Sequence, residues 1–288
     1  MEHVITVKNV SKQFKNFAVK DLNFNIKKGF VTGFIGGNGA GKSTTIKLMM
    51  NLLRPDEGEI ELFQMKYDEH EKEIKQRIGF VHDANVYYKG LHLKDIRRIV
   101  KPAYERWDDE LFYHYIDRFN LPLTKSIRHF SKGMQMKASL AVALSHDAEL
   151  IIMDEPTSGL DPVFRHELID LLQQIMLDEQ RTIFFSTHIT SDLERFADYI
   201  MFIQQGEIKF QHTQNYLEEH FALVKGNIDL LDRDTEKAFV HVKKTTTNFV
   251  GLTNDVSQTK EIFGNNVYLE RASLEEIMYY YKGGDVLA

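Results

Sequence analysis

One glycine-rich run has the residue types and spacing that bind phosphate. The residues Gly36-Gly37-Asn38-Gly39-Ala40-Gly41-Lys42-Ser43 fit the pattern G-x-x-x-x-G-K-[ST], and Thr44 follows them. Glycines let a backbone turn its N–H groups toward an anion, and a helix that begins here adds the positive end of its dipole. Lys42 would place a charge against the β- and γ-phosphates of a nucleoside triphosphate, and the Ser43 hydroxyl would be a ligand for Mg²⁺.

The alternative for this run is a chance match in a glycine-rich turn. Two neighbouring patterns disfavour that alternative. Residues 30–35 are apolar and β-branched, as expected of a buried strand, and residues 42–52 have a helical pattern. A phosphate-binding loop joins such a strand to such a helix.

Two acidic residues follow a second apolar run, Leu150-Ile151-Ile152-Met153. We expect this strand to lie beside the strand that leads into the phosphate-binding loop. Asp154 would then hold Mg²⁺ through water, and Glu155 would act as the general base that polarises the attacking water. His188, at the end of the apolar run 182–186, could reach the γ-phosphate, although a single histidine among 12 is more often structural.

The bulk composition excludes several classes of protein. The 288 residues contain no cysteine, which rules out disulfides and thiolate-bound zinc. The net charge of -6 gives no basic field to hold nucleic acid. We find no secretory signal peptide at the N-terminus and no apolar run long enough to span a bilayer, so any action at a membrane would pass through a partner.

Strands and helices alternate along most of the chain, which predicts an α/β fold with a parallel sheet. The pattern of residues 93–145 is mostly helical and indicates a helical insertion in this fold. Beyond them, a hairpin around Gly206 closes the domain. After about residue 214 short β-like runs at 238–242 and 267–269 and a helix at 274–281 predict an α+β appendage. We place a main domain at 1–215, its helical subdomain at about 87–147, and an accessory domain at 216–288.

Two further motifs lie between and after the nucleotide motifs. Phe130-Ser131-Lys132-Gly133-Met134-Gln135 is similar to the signature LSGGQ, and Pro156-Thr157-Ser158-Gly159-Leu160-Asp161-Pro162 is similar to a D-loop. With the phosphate-binding loop, carboxylates and histidine in the same order, residues 2–215 resemble the ATP-binding subunit of ABC transporters. The resemblance implies a P-loop NTPase fold of the ABC type. Such a fold has a mixed, mainly parallel core sheet, an antiparallel N-terminal β subdomain and a helical insertion.

The resemblance also implies a mechanism. Two such domains pair head to tail around two ATP molecules with Mg²⁺, and each site joins the phosphate-binding loop of one chain to the signature of the other. Ser131, Lys132, Gly133, Met134 and Asp161 would then bind nucleotide across the interface, with Ser131 as the N-cap of a helix aimed at the partner's phosphate. Phe14 stands where the family stacks an aromatic ring on adenine, or it is one core residue among 20 phenylalanines.

The sequence departs from the family pattern at three positions. Lys132 replaces a usual glycine, and Met134 replaces a usual glutamine. The SKGM form of the signature occurs in some exporter-type subunits, so we expect activity to be retained. Asp83 stands where the family has a glutamine, and it could still be a ligand of Mg²⁺ or its water, but without a donor.

The family pairs its ATPase subunit with a second copy or close paralogue and with a separate membrane permease. That would place this chain at the cytoplasmic face of the plasma membrane. The candidates for the permease groove are Tyr87, Tyr88, Leu91 and the stretch up to Tyr104, or these are core residues. Tyr279-Tyr280-Tyr281 packs within the appendage, or serves pairing or regulation.

The likeness is to bacterial exporters of drugs, lantibiotics or amphipathic peptides, with phenol-soluble modulin exporters as the nearest example. Two alternatives remain. A soluble ABC ATPase without a permease usually has two tandem ATPase domains or long coiled coils, and this chain has neither pattern. A nucleotide-binding regulator without catalysis would lack Lys42 or Glu155, and both are present.

Overall fold

The computed structural model describes residues 2–82, 87–177 and 181–283. The chain forms two compact units, Met1–Lys209 and Phe210–Ala288. The sequence places the boundary after residue 215, and that boundary stays a prediction. No helix in the described ranges combines the length and the apolar content that a bilayer crossing requires.

The N-terminal unit contains an antiparallel sheet and a mainly parallel core sheet. Its strands are β1 (His3–Gln13), β2 (Ala18–Lys27), β3 (Val31–Ile35), β4 (Glu57–Leu62), β5 (Met65–Lys66), β6 (Ile78–Val81), β7 (Leu150–Asp154), β8 (Thr182–Thr187), β9 (Tyr199–Gln204) and the first three residues of β10 (Glu207–Thr213). Its helices are α1 (Lys42–Met49), α2 (Tyr67–Gln76), α3 (Leu93–Val100), α4 (Asp109–Arg118), α5 (Lys132–Leu144), α6 (Pro162–Met176) and α7 (Thr190–Phe196).

The antiparallel sheet has the strand order β2-β1-β4-β5. In β2 the residues Leu22, Phe24 and Ile26 are buried while those between them are exposed, the alternation of a sheet with one face toward a core. That face packs with α1 and with Phe34 and Phe184 of the core sheet in a single apolar cluster. Each fully buried side chain of this size contributes roughly 2 kcal/mol, so the cluster fixes α1 against both sheets.

The core sheet has the order β10-β9-β3-β8-β7-β6, and β9, β3, β8, β7 and β6 run parallel. The expectation that β7 lies beside β3 is therefore wrong, because β8 separates them. A strand, helix and parallel strand in succession usually pair directly, and here the helix α6 returns the chain from β7 to β8. Ser186 in β8 is the register partner of both Phe34 and Asp154. The carboxyl ends of β3, β7 and β8 consequently meet at one edge.

Helices α3, α4 and α5 form the helical insertion. Asp109, at the start of α4, is its main ionic contact, because it accepts hydrogen bonds from Arg97 Nε at 2.8 Å, Lys101 Nζ at 2.7 Å and Trp107 Nε1 at 2.6 Å. The Arg97 guanidinium, followed by Lys101, holds the pKa of the Asp109 carboxyl well below its usual range. These bonds join α3 to α4.

The C-terminal unit is a second antiparallel sheet with helices. It contains α8 (Gln214–His220), β11 (Ala222–Asn227), β12 (His241–Lys244), β13 (Asn248–Thr253), α9 (Val256–Phe263), β14 (Tyr268–Arg271) and α10 (Leu274–Tyr281). Its sheet order is β12-β13-β11-β14. The β-like run expected at 238–242 overlaps β12, which begins only at His241 because a 3-10 turn occupies Thr235–Ala238. The run expected at 267–269 overlaps β14, which begins one residue later.

Helix α10 is positioned by local sequence and by its tyrosines. Ser273 and Glu276 form a reciprocal capping box at its start. Tyr280 is buried and donates to the Val250 carbonyl at 3.4 Å, while Lys243 lies 4.3 Å from the centre of the Tyr279 ring. These contacts favour packing as the role of the tyrosine run.

The turn at Gly206 connects the β9–β10 hairpin to the loop before α1. Its N–H donates to Ala40 O at 2.9 Å, and its carbonyl accepts from Lys20 N at 2.9 Å. Its φ is +80°, and an added Cβ would lie 1.9 Å from the Ala18 carbonyl oxygen. Only glycine fits this position.

We therefore expect Gly206→Ala to lower the free energy of unfolding of the N-terminal unit by about 2–4 kcal/mol, since it combines a left-handed backbone with a backbone clash. Urea unfolding followed by Trp107 fluorescence measures this. Gly90→Ala is the matched control, because the nearest atom to its added Cβ is in the Tyr88 ring at 3.6 Å. Equal stability of the two variants would contradict the clash.

Candidate functional site

The glycine turn between β3 and α1 leaves backbone N–H groups at the start of α1 without a backbone acceptor among the described residues. Gly41 is the N-cap of α1, with φ +118°, and makes no side-chain cap. Within the described part of the chain, no backbone oxygen accepts from the N–H groups of Lys42, Ser43 or Thr44. The first N–H groups of a helix have no partner inside it, so these donors are left for a ligand.

Lys42 lies inside the turn, with a side chain that is only 6% exposed. Its ammonium donates to Gly36 O at 2.7 Å and Gly37 O at 3.2 Å, and it lies 3.0 Å from Glu155 Oε1. An ammonium has three N–H donors, and these contacts use all three. A phosphate that binds Lys42 would therefore have to displace one of these acceptors, and Glu155 is the one of the three that lies outside the glycine turn.

Glu155 is placed at the edge of the core sheet by an uncommon backbone conformation. Its φ is +51°, a region that costs a non-glycine residue about 1 kcal/mol or more. Its N–H donates to Ser186 O at 3.0 Å, which continues the pairing of β7 with β8. The carboxylate bridges two side chains. Its Oε2 lies 2.6 Å from His188 Nδ1, and its Oε1 contacts the Lys42 ammonium.

The three residues reach one place because their strands end at one edge of the sheet. Ile35 of β3 is the register partner of Thr187 in β8, and Asp154 of β7 is the partner of Ser186. The residues that follow these strand ends therefore meet although β3 and β7 are not neighbours. Asp154 itself is buried, with 4% of its surface exposed.

A cavity of about 650 Å³ opens over this edge. It brings together seven of the fifteen residues predicted to bind nucleotide and both predicted catalytic residues. Its lining is Phe17, Gly37, Asn38, Gly39, Gly41, Lys42, Ser43, Thr44, Glu155, Ser158 and His188. Gly36 and Ala40 complete the turn without lining the cavity, and Asp83 lies outside the described residues.

Two lining residues were missed by the sequence reasoning. Ser158 follows Glu155 in the turn, where its N–H donates to Glu155 O at 3.1 Å. Phe17 lines the cavity, whereas the predicted Phe14 does not line it and is 36% exposed. The signal available for Phe17 was its spacing, because a two-residue loop between two strands places both phenylalanines on the same face.

The signature residues lie apart from this cavity. Ser131 is the N-cap of the 13-residue helix α5, and its Oγ accepts from Met134 N at 3.2 Å. Ser131 and Lys132 are exposed, and an added Cβ at Gly133 would meet the Phe164 ring at 3.1 Å. None of these residues lines the cavity of its own chain.

The signature and the D-loop lie side by side. Asp161 is the N-cap of α6, where it accepts from Phe164 N at 3.0 Å. Lys132 Nζ would be 2.9 Å from a Cβ at Gly159, whose φ is +67°. The lysine that replaces the usual glycine therefore extends over the D-loop of its own chain.

Comparisons with known proteins identify the family of the chain. A family model described as ABC transporter matches residues 19–158. The chain is 34% identical over 231 residues to the bacitracin transport ATP-binding protein BcrA of Bacillus licheniformis, which covers 76% of this chain and 75% of that protein. It is 27% identical over 283 residues to BcrA of Enterococcus faecalis, which covers 92% of this chain and 90% of that protein.

A solved structure of an ATP-binding subunit of an ABC transporter has a TM-score of 0.66 and 29% sequence identity with this chain. The match covers 75% of this chain and 92% of that one. Both the sequence and the fold are therefore similar to ATP-binding subunits over the part that contains the cavity.

Proposed function

This chain belongs to the ABC transporter family as an ATP-binding subunit that hydrolyses ATP, and we propose that hydrolysis takes place in the cavity over the glycine turn. One observation carries the proposal: Lys42, Glu155 and His188 meet within contact distance where three strands end at the mouth of that turn. Phosphate would bind to the free N–H groups of α1 and to Lys42.

Glu155 and His188 would carry the chemistry. When the γ-phosphate takes the place of Glu155 beside Lys42, the carboxylate is released toward the water that attacks phosphorus. Glu155 then accepts the proton of that water. His188 contacts Glu155 Oε2 at 2.6 Å and so keeps the carboxylate oriented after Lys42 has left it.

The donor set also fits Mg²⁺. The hydroxyl of Ser43 lines the cavity, and the carboxylate of Asp154 ends the strand one residue before Glu155. Hard divalent cations take oxygen ligands of these two kinds. Bound there, Mg²⁺ would supply positive charge to the phosphate oxygens as the terminal bond breaks. Ser43 and Asp154 would hold it, and Asp83 stays a predicted further ligand.

Two copies would close this site head to tail. The signature tip at Ser131 is exposed and lies away from the cavity of its own chain, so it is free to meet the nucleotide of a second chain. The N-terminus of α5 would then direct its dipole at the partner's γ-phosphate. Lys132, Gly133, Met134 and Asp161 would border the same contact.

Introduced cysteines test this arrangement cleanly, because the chain contains none. We expect a chain with Asn38→Cys and a differently tagged chain with Ser131→Cys to form a mixed disulfide under mild oxidation, and to do so only with ATP and Mg²⁺. A disulfide requires Cβ atoms about 4 Å apart, so the product reports head-to-tail contact. Gel electrophoresis and mass spectrometry identify it.

Lys47→Cys, at the exposed far end of α1, is the matched control and should give no mixed product with Ser131→Cys. A product that joins two Ser131→Cys chains to each other in preference would contradict the head-to-tail pair. So would a mixed product whose yield is the same without nucleotide.

The second partner we propose is a separate membrane permease, which would hold this subunit at the cytoplasmic face of the plasma membrane. Within the helical insertion, Tyr88 is 80% exposed and Ile99 is 61% exposed, and these side chains would contact the permease. Tyr104 instead stacks on His146 with ring centres 3.8 Å apart, so it packs inside the insertion. Two relatives are named for bacitracin transport, and we propose export of amphipathic peptides or drugs as the process that this subunit drives.

A further inference from the structure

The helical insertion carries positive charge in a chain that is negative overall. Residues 87–147 contain eleven lysines and arginines and seven aspartates and glutamates, a net charge of +4, whereas the whole chain has a net charge of -6. A cationic surface on the insertion is therefore not a consequence of the bulk composition. Charges at a protein surface interact over about 8–10 Å in physiological salt, so this local segregation decides what the surface attracts.

Around α3, five exposed cations are left without a counter-ion. The acidic side chains nearby are occupied by other groups, since Asp95 accepts from His92 N at 3.1 Å and Asp109 holds the contacts described above. Among the residues that the structure describes, no carboxylate lies within ion-pair distance of the following exposed side chains: Lys89, Lys94, Arg98, Lys125 and Arg128.

The loop before α3 and the loop before α5 lie side by side. Arg128 N donates to Lys89 O at 2.9 Å, and Ile127 N donates to Leu91 O at 2.8 Å. These two bonds join segments that are far apart in the sequence. The three loop cations, Lys89, Lys125 and Arg128, therefore belong to one part of the surface, next to the start of α3.

Helix α3 adds two cations and an apolar side chain to that surface. Lys94 and Arg98 are exposed and lie four residues apart, so they share one face of the helix. Leu93 and Ile96 are buried, so α3 packs on the insertion through its other side. Ile99 is 61% exposed beside Arg98. Exposed cations interspersed with apolar side chains are typical of surfaces that lie at the boundary of a phospholipid bilayer.

We propose that this cationic face, formed by Lys89, Lys94, Arg98, Lys125 and Arg128, binds the anionic headgroups of phospholipids at the membrane surface. The inference rests on the proposed function, since a subunit held by a membrane permease through its insertion lies close to the bilayer. The lipid contact would be additional to the permease contact. Each lysine or arginine near an anionic membrane strengthens the attraction about fivefold.

An acidic segment of a protein is the alternative partner for these charges. Recognition of a carboxylate by a protein uses fixed, partly buried hydrogen-bond geometry, whereas mobile headgroups require only exposed charge. The five cations come from three separate segments, and all five side chains are exposed. This arrangement favours the lipid surface. A chain with a net charge of -6 spread evenly would be repelled by anionic lipid, so binding would report the cationic face itself.

Co-sedimentation of the full chain with vesicles tests the proposal. We expect binding to vesicles of equal parts phosphatidylcholine and phosphatidylglycerol, and none to phosphatidylcholine alone. Binding should fall steeply between about 0.1 and 1 M salt, because the screening length shortens. A variant with Lys94→Gln and Arg98→Gln should bind the anionic vesicles about 25-fold more weakly, at about fivefold per charge. Glutamine retains helix propensity, and thermal unfolding shows that the variant is folded.

A variant with Lys260→Gln and Lys282→Gln is the matched control. Both lysines are exposed, lie in the C-terminal unit and have no carboxylate within ion-pair distance in the described ranges. This variant has the same net charge as the first one but keeps the cationic face. It should bind anionic vesicles within about twofold of the unmodified chain.

Equal binding to anionic and neutral vesicles would overturn the inference. Absence of binding to both would also overturn it and would assign the cationic face to an acidic protein segment. Full binding in the Lys94 and Arg98 variant, or equal losses in the two double variants, would contradict the role of this face. Failure of the proposed function is distinguishable, since the unmodified chain would then hydrolyse no ATP, whereas vesicle binding does not depend on hydrolysis.

Discussion

Lys42→Ala is expected to weaken ATP binding by about 100-fold or more. The ammonium is almost fully buried inside the glycine turn, and Lys42 is the first residue of α1. Removing one partner of a buried, hydrogen-bonded charge pair costs about 2–5 kcal/mol, which corresponds to roughly 30-fold to several thousandfold in affinity. Calorimetric titration with ATP and Mg²⁺ measures the loss.

Two further variants make the result interpretable. Lys42→Met retains the buried stem and removes only the charge, so it decides the question if the alanine variant folds poorly. Lys47→Ala changes an exposed lysine in the last turn of the same helix and should bind ATP as the unmodified chain does. Unchanged affinity in Lys42→Met would contradict the assignment of the glycine turn as the phosphate site.

The glycine turn could be predicted from the sequence because its chemistry is local. Glycine spacing, the lysine and the start of α1 all lie within one short segment, and backbone N–H groups need no distant residue to point inward. The strand order could not be predicted in the same way. Both β7 and β8 are apolar runs of similar length, and only the return of α6 decides that β8 lies between β3 and β7.

The contact between Lys42 and Glu155 could not be predicted from the sequence either. The motif assigns each residue a role toward ATP, but it does not say where either side chain goes without ATP. The structure answers this through the positive φ of Glu155 and the bond to His188, which together direct the carboxylate at the ammonium. Such placement depends on tertiary contacts between three strand ends, which no local pattern contains.

Because Glu155 contacts Lys42, we expect Glu155→Gln to change both ATP turnover and ATP binding. Loss of the general base should lower ATP turnover by about 10²–10⁴-fold, since an amide cannot accept the proton of the attacking water. The amide also removes the negative charge that competes with phosphate for Lys42, so ATP should bind at least as tightly as before. Steady-state phosphate release and calorimetric titration measure the two effects separately.

Slow turnover combined with tight binding should hold the chain in its ATP-bound pair. Gel filtration with ATP and Mg²⁺ should therefore show Glu155→Gln as a dimer, and omission of nucleotide should return it to the monomer. Glu110→Gln makes the same change at an exposed site on α4 and should leave turnover unaltered. His188→Ala should lower turnover while ATP still binds, because the carboxylate is then present but no longer oriented.

These measurements distinguish the role of Glu155 as general base from the pairing of two chains around ATP. Full turnover in Glu155→Gln would remove Glu155 from the role of base and leave the phosphate site intact. A variant that stays monomeric with ATP, where the unmodified chain pairs, would count against the head-to-tail closure even if turnover is lost. Lys42 has no N–H donor left while it contacts Glu155 and both glycine carbonyls. Weaker ATP binding in Glu155→Gln would therefore contradict the competition between carboxylate and phosphate.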